Sequence, residues 1–203
     1  MPMILRSSPP SPFGRKVKIA AAILGLADQI TIETADPNDA NDTLRTQNPL
    51  GKIPALIIED GTVIYDSRVI AEYLNDMAQG EKIIPASGKE RFDALCLQAL
   101  ADGIMDAALL QVYEKRMRPE EKWHQPVLDY QADKVSRALA VLESGTMVLH
   151  HTPTIGEIAL ACALGYLDLR FDGGWRAAHP QLVEWLNAFS SAVPAFEKTK
   201  VAA

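Results

Sequence analysis

The sequence has few cysteines and no excess of positive charge. Cys96 and Cys162 are the two cysteines among 203 residues, and they lie far apart, outside any Cys-x-x-Cys pair. A disulfide scaffold, a structural zinc site and a dithiol redox motif are therefore not expected. The 20 basic and 26 acidic residues give a net charge of −6, without a basic tail or block. This balance argues against nucleic acid and anionic membranes as main partners.

Long apolar runs and hydrolase motifs are missing as well. The first residues, MPMILRSSPPSP, have no apolar segment after a basic one and do not resemble a signal peptide. No uninterrupted apolar stretch approaches 18 residues, so no membrane-spanning segment is predicted and a cytoplasmic protein is expected. The Gly-x-Ser-x-Gly motif is absent, which argues against a serine hydrolase.

The chain changes character near residue 80. Before this point strand-like and helix-like segments alternate, whereas nearly everything after it has a helical period. We predict a small α/β layer over 1–77, a linker over 78–89 and an all-helical part over 90–203. In the first part we expect one parallel strand pair, joined by a helical crossover, and one antiparallel pair joined at the Asp-Gly turn of residues 60–61.

The hydrophobic spacing and the capping residues set the limits of each predicted element. The predicted strands are 1–6, 29–35, 55–59 and 62–65, and the predicted helices are 13–26, 66–77, 90–117, 119–142, 154–169 and 180–191. The second strand should be half-buried through Ile30 and Ile32, and Val69 should face inward on the helix at 66–77. Thr154 and Glu157 have the spacing of a capping box. The helix at 119–142 is predicted from a stripe of residues at spacings of three or four: Trp123, Val127, Tyr130, Lys134, Ala138 and Leu142.

The first candidate site lies at the start of the first helix. Pro12 suits the first helical turn, which makes Ser11 the N-cap residue. A serine hydroxyl at this position lies beside the free amides and the positive end of the helix dipole. The simpler interpretation is a helix cap alone, and the functional one is a site for an anion or a thiolate.

Two further candidate sites follow in the α/β part. If the Ile53–Pro54 bond at the mouth of a strand is cis, the Ile53 backbone faces solvent, and an extended peptide can pair with it as an added strand. The alternative is a plain turn, with Lys52 as a solvated lysine.

Asp66 and Ser67 lie between a predicted strand and a predicted helix. A carboxylate there suits an ammonium group, and a hydroxyl beside free amides suits a carboxylate. Ordinary capping is again the alternative.

Taken together, these motifs resemble a cytosolic glutathione transferase. The block NPLGKIPALIIEDGTVIYDSRVIAEYL at 48–74 is similar to the family's most diagnostic stretch. TIGEIALACALGYLDLR resembles the core helix of its second domain, and HPQLVEWLNAFSSAVPAF resembles its closing segment. SPFGRKVKIA resembles the serine-type classes, and ADGIMDAALLQVYEKR resembles a largely uncharacterised bacterial subgroup. The resemblance implies an α/β thioredoxin-like N-terminal domain and an all-α helical-bundle C-terminal domain.

The resemblance also implies glutathione as co-substrate and a set of binding residues. These residues are Ser11, Phe13, Lys52, Ile53, Pro54, Asp66 and Ser67. The expected reaction transfers glutathione to a small electrophile, with Ser11 as the catalytic residue that stabilises the thiolate. Ser7 and Ser8 lie close by and remain alternatives to Ser11. No metal is expected.

The helical part offers fewer candidates. Tyr113 and Arg116, on the long helix, are proposed to line the electrophile pocket, and the resemblance implies a homodimer. A non-catalytic glutathione-transferase-like binding or interaction module is the alternative function. His150 and His151, with Glu143, could suggest a metal site, but a surface pair in a loop is the preferred interpretation.

Overall fold

The first part of the chain is built on a four-stranded mixed sheet. The computed structural model describes residues 2–79 and 82–201. Its strands are β1 (Met3–Ser7), β2 (Ile30–Thr34), β3 (Ala55–Ile57) and β4 (Val63–Ile64), in the spatial order β2-β1-β3-β4. β1 is parallel to β2 and antiparallel to β3, and β3 is antiparallel to β4. The predicted crossover and the predicted hairpin are both confirmed.

Helices flank the sheet and then form the rest of the described chain. The helices are α1 (Pro12–Ile23), α2 (Leu44–Gln47), α3 (Ser67–Met77), α4 (Gly88–Met117), α5 (Gln125–Ser144), α6 (Ile155–Phe171), α7 (Pro180–Ala192) and α8 (Pro194–Lys198). Short 3-10 turns lie at Ala27–Gln29, Glu120–Lys122 and Arg176–Ala178. The predicted order of an α/β layer followed by helices is confirmed, and α8 is an element that the sequence did not predict.

The predicted domain limits remain a prediction. Residues 80 and 81, inside the predicted linker 78–89, lie outside the described residues, as does residue 1 of the first predicted strand. The long helix α4 begins at Gly88, inside the predicted linker and two residues before its own predicted start.

α6 is the central helix of the core. Its start is fixed by the predicted capping box: the Thr154 hydroxyl accepts from the Glu157 amide at 3.4 Å, and the Glu157 carboxylate accepts from the Thr154 amide at 2.7 Å. Because both orphan amides are satisfied, the helix end can be buried. At Gly156 a Cβ atom would lie 2.6 Å from the Ala94 carbonyl oxygen, so glycine allows α6 to approach α4 closely. α6 also packs against α1, which makes one hydrophobic core continuous across both parts.

The middle of α4 is long and apolar enough to cross a membrane, by length and composition alone. In the fold it packs against α5 and α6. Asp102, halfway along it, accepts a hydrogen bond from Lys16 of α1. These are the contacts of a core helix.

Three predictions about which residues face inward are wrong. Ile32 is 54% exposed because β2 is an edge strand, and Val69 is 52% exposed on the outer face of α3. The helix predicted from 119 begins at Gln125, because Pro126 belongs in a first turn rather than in a helix interior. The predicted inward stripe begins at Trp123, which lies before α5, and therefore does not follow the buried face of this helix. The residues that α5 buries are Leu128, Gln131, Val135, Leu139 and Leu142.

Candidate glutathione site

Ser11 has the geometry predicted for it. It is the N-cap of α1, and its hydroxyl oxygen accepts from the Gly14 amide at 3.1 Å. Among the described residues no acceptor takes the Ser11 hydroxyl proton, and the side chain is partly exposed, so this proton is free for a ligand. Ser7 is different: it is 1% exposed and donates to the Ser8 carbonyl at 3.4 Å. A Cβ atom at position 14 would lie 2.0 Å from the Ser7 hydroxyl oxygen, so Ser7 is packed beneath the helix start.

The loop before β3 presents an open backbone edge. The Ile53–Pro54 peptide bond is cis, the geometry that the peptide-pairing interpretation of this loop requires. Asn48, which the sequence motif contained without a role, holds the loop: its amide group donates to the Lys52 carbonyl at 2.8 Å, and its carbonyl accepts from the Leu50 amide at 3.1 Å. No described residue pairs with the Ile53 amide or carbonyl. The loop can therefore pair with one extended peptide segment.

The third candidate lies at the start of α3. Asp66 is the N-cap residue, and its carboxylate accepts from the Arg68 amide at 3.0 Å. The Tyr65–Asp66 peptide bond is also cis. Ser67 is the first residue of the helix, and its hydroxyl has no partner among the described residues. The exposed carboxylate and the free hydroxyl offer adjacent places for an ammonium group and a carboxylate.

A buried ion pair network ties these helix starts to α4, and sequence reasoning missed it. The Lys16 ammonium, with 0% of its side chain exposed, lies 2.7 and 3.0 Å from the two carboxylate oxygens of Asp102. Arg68 Nε lies 2.7 Å from the second of these oxygens. Burial lowers the pKa of Lys16, and the charge of Asp102 opposes that effect. The available signal was the phase of α1, which puts Lys16 on the same face as Ala20.

Asp106, one turn further along α4, brings the predicted binding residues into one charged cluster. Its pKa is raised, chiefly by burial and then by the negative charge of Asp102. The positive charges of Arg68 and Lys52 oppose this rise, and the charge of Asp66 adds to it. Lys52 and Asp66, predicted from separate motifs, thus both act through their charge on one carboxylate that the motifs did not contain. Groups of both signs in one place suit a zwitterionic ligand.

The predicted electrophile residues gather around Tyr166 of α6. Burial raises the pKa of Tyr166, and the charges of Arg170 and Arg116 oppose the rise, while Tyr113 also acts on it. A cleft of about 450 Å³ is lined by both Tyr166 and Ser11. Ser11 and Tyr166 therefore border the same space, whereas Tyr113 and Arg116 are not among the described residues that line it.

The histidine pair has a structural role. His150 Nδ1 lies 3.0 Å from the Glu157 carboxylate, while Glu143 accepts from the Gln181 and Leu182 amides at the start of α7. Glu143 is thus a capping residue of α7. Within the described ranges 2–79 and 82–201, no group of three or more His, Cys, Asp or Glu side chains is arranged to hold a metal ion.

Comparisons with known proteins match both parts of the chain to family models. Residues 10–77 match the family model of the glutathione S-transferase N-terminal domain, and residues 98–188 match that of the C-terminal domain. The uncharacterized GST-like protein YibF of Escherichia coli K12 is 38% identical over 194 residues, which cover 93% of this chain and 94% of YibF.

Two solved structures extend the likeness to the whole fold. A glutathione transferase family member from Pseudomonas fluorescens Pf-5, solved with bound glutathione, is 40% identical with a TM-score of 0.91, covering 99% of this chain and 100% of its own. A structure of a family member from the same organism, with bound S-(propanoic acid)-glutathione, is 41% identical with a TM-score of 0.88, covering 98% and 100%. The arrangement of a thioredoxin-like sheet part and a helical part is thus shared with solved proteins.

Proposed function

Since this chain belongs to the glutathione S-transferase family, we propose that it binds glutathione and transfers its thiolate to a small electrophile. The observation that carries the proposal is the unpaired Ile53 backbone in the loop before β3, next to the cis Pro54 bond. The same part of the chain has two helix starts capped by side chains, those of Ser11 and Asp66. Glutathione is an extended tripeptide with charged groups at both ends, and the site offers a partner for each part.

Each part of glutathione has a proposed partner. The Ile53 amide and carbonyl pair with the backbone of its cysteine residue. Ser67 and the start of α3 take the γ-glutamyl carboxylate, and Asp66 takes the ammonium group. Lys52, which is exposed, reaches the glycine carboxylate. The Ile53 backbone and the Ser67 hydroxyl have no partner among the described residues, and Lys52 and Asp66 are exposed, with the Asp66 carboxylate also accepting from the Arg68 amide.

Ser11 and Phe13 complete the proposed site around sulfur. Phe13 is half-buried near the start of α1, and its ring gives the thiol an apolar neighbour. The free Ser11 hydroxyl proton is directed to sulfur. Ser11 is not the base, because an alcohol is a much weaker acid than a thiol.

The first catalytic task is to ionise the thiol. A thiol with a pKa of about 8.5 is only a few per cent ionised at pH 7, and the thiolate is the nucleophile. A hydrogen bond to a charged acceptor contributes about 1.5–3 kcal/mol, and a helix N-terminus contributes about 0.3–1 kcal/mol. The proton leaves to solvent, sulfur bonds to the electrophilic carbon, and the leaving group departs with its electron pair or the electron pair of a double bond is displaced. Tyr113 and Arg116 are proposed to border the electrophile.

The Pseudomonas structures support this proposal. One contains glutathione, and the other contains glutathione substituted on sulfur. The second indicates that a site of this kind has room beyond the sulfur atom, where the cleft shared by Ser11 and Tyr166 lies in this chain.

We also propose that two copies of the chain form a homodimer through the faces of α3 and α4. Val69 and Phe92 are large apolar side chains exposed on these helices, and a cleft of about 320 Å³ between them is lined by Val69 and Leu95. A second copy would cover this face.

Sedimentation velocity over a range of concentrations tests the dimer. The wild type should sediment as a dimer that Phe92→Asp dissociates, while Val141→Asp, at an exposed position on α5, should leave it intact. A wild-type monomer at all concentrations would contradict the proposal. Location in the cytoplasm stays a prediction.

Calorimetric titration with glutathione near pH 7, in two buffers of different ionisation enthalpy, tests the function. The difference between the two heats gives the number of protons released. Binding with substantial proton release, together with turnover of an electrophile such as 1-chloro-2,4-dinitrobenzene, is the expected result. Binding without proton release or turnover would favour the non-catalytic binding module, and absence of binding would refute the assignment of the site.

A further inference from the structure

The unpaired arginines of this chain are concentrated at one place. Six of the ten arginines form an ion pair with a carboxylate in the described part of the chain. Of the other four, Arg45 lies in α2, and the remaining three, Arg15, Arg116 and Arg170, are near Tyr166 or act on it through their charge. In a chain with a net charge of −6 and 26 acidic residues, such a cluster is not expected by chance.

Arg15 forms the floor of the cleft that contains Ser11. Only 8% of it is exposed, and it donates to two neutral acceptors, the Phe196 carbonyl at 2.6 Å and the Thr199 hydroxyl at 3.2 Å. A Cβ atom at position 165 would lie 2.5 Å from Arg15 Nη1, so Gly165 leaves room for this guanidinium against α6. The charge of Arg15 therefore enters the cleft without a carboxylate partner.

Arg170 and Arg116 both act on Tyr166, which lines the cleft, although neither arginine is itself among the described lining residues. The guanidinium carbon of Arg170 is 5.8 Å from the centre of the Tyr166 ring, and its Nε atom is buried without a hydrogen-bond partner among the described residues. Arg116 is exposed near the end of α4 and, like Arg170, acts on Tyr166 through its charge. Neither forms an ion pair with a described carboxylate.

The acidic residues of the cleft, Asp168 and Glu197, act on Arg15 through their charge, but each makes its close contacts with other groups. Asp168 accepts from Arg176 Nε at 2.8 Å and from Arg176 Nη2 at 2.6 Å, and also from the Trp175 indole at 2.9 Å. Glu197 accepts from the Ser190 hydroxyl at 2.6 Å and pairs with Lys200 at 3.7 Å. The described cleft lining therefore has a small excess of positive charge, with three basic side chains, Arg15, Arg176 and Lys200, against two acidic ones, Asp168 and Glu197.

We propose that the electrophile of this enzyme carries a carboxylate, which Arg116 and Arg170 bind while its reactive carbon faces the thiol at Ser11. The inference rests on the proposed function, since it assumes glutathione in the neighbouring site. Arg15 supplies additional positive charge from the floor of the cleft. Electrophiles of similar size without an anionic group leave this charge uncompensated and bind less well.

A pair of glutathione conjugates that differ only in charge tests the inference without requiring turnover. The probes are S-(4-carboxybenzyl)glutathione and S-(4-carbamoylbenzyl)glutathione, titrated calorimetrically into the full chain. The carboxylate conjugate should bind at least about tenfold more tightly than the carboxamide, the lower end for a hydrogen bond to a charged group. Arg116→Gln and Arg170→Gln should each reduce this ratio, and Arg137→Gln, on the exposed surface of α5, should not.

The outcomes separate this inference from the proposed function. If glutathione binds but the two conjugates bind equally, or neither binds, the carboxylate inference is overturned and the glutathione site stands. A preference that survives both arginine substitutions overturns the assignment to these residues. If glutathione itself does not bind, the proposed function fails and the inference fails with it. Thermal unfolding of each variant identifies a loss of affinity that comes from misfolding, in which case Arg170→Lys, which keeps the charge, should retain the preference.

Discussion

Replacing Ser11 by alanine should raise the pKa of the thiol of bound glutathione. The hydroxyl proton of Ser11 has no acceptor among the described residues, so its hydrogen bond to sulfur is available in full. With about 1.5–3 kcal/mol from this bond, about 0.3–1 kcal/mol from the helix end and 1.36 kcal/mol per pKa unit, a thiol of pKa about 8.5 is lowered to about 6–7. Without the hydroxyl only the helix end acts, and the pKa should return to about 8.

The same substitution removes a helix cap, and this second effect must be separated from the first. Losing the bond from the Gly14 amide to Ser11 should reduce the free energy of unfolding by about 1 kcal/mol. Thr154→Ala removes a cap of the same kind from α6, far along the chain from the site. It should lower stability by a similar amount and leave the thiol pKa unchanged. Ser11→Thr keeps a hydroxyl and should keep most of the effect on sulfur.

The assay is the pH dependence of kcat/KM for the electrophile at saturating glutathione. The ultraviolet absorbance of the bound thiolate gives an independent value of the same thiol pKa. Since the reaction needs the thiolate, activity rises with pH through the pKa of the thiol. The midpoint for Ser11→Ala should lie about 1–2 units above that of the wild type. Equal midpoints would refute the role of Ser11 and favour Ser8, because Ser7 is buried beneath Gly14.

Three further predictions concern residues that are not assigned to the glutathione site. Asp102→Asn leaves the buried Lys16 ammonium without its carboxylate and should reduce stability by about 3–5 kcal/mol in denaturant titrations, and a second change of Lys16→Met should restore part of that loss. Glu143→Ala removes the cap of α7 and should reduce stability by about 0.5–2 kcal/mol, without affecting glutathione affinity. Because burial raises the pKa of Cys162 to about 11, this thiol stays protonated at pH 8, and a maleimide should label exposed Cys96 alone until the protein unfolds. Labelling of native Cys162 would show that α6 opens.

The features predicted well from the sequence are those decided by neighbouring residues. The caps at Ser11, Asp66 and Thr154 each depend on a side chain and an amide two or three positions later, so their spacing in the sequence is sufficient. The buried face of α7, formed by Leu182, Trp185, Leu186 and Phe189, follows from the sequence, because Pro180 fixes the helix start and the apolar residues that follow keep one phase. The cis geometry at Pro54 needed the family resemblance, since few X–Pro bonds are cis.

The features that were missed depend on contacts between distant segments. Val69 has the helical phase of an inward residue but faces outward, where a second copy of the chain is proposed to cover it. Arg15 and Lys16 look like ordinary charged residues of a helix, and their burial depends on partners about 180 and 86 positions away in sequence. Hydrophobic periodicity describes which face of an element is buried, not which buried charge will find a partner.

The buried network at Asp102 explains how a site in the first part of the chain depends on the second. α1 carries Ser11 at its start, and α3 carries Ser67 at its start. In the proposed site neither helix start holds glutathione alone, because the start of α1 is assigned to the thiol and the start of α3 to the γ-glutamyl end. A single carboxylate from α4 binds Lys16 of α1 and Arg68 of α3 and so fixes the two starts relative to each other. Since long side chains lose rotamer freedom when they are held in place, this ordering is completed during folding rather than when the ligand binds. We therefore expect the helical part to contribute to glutathione affinity through the position of α1 and α3, in addition to its proposed place beside the electrophile.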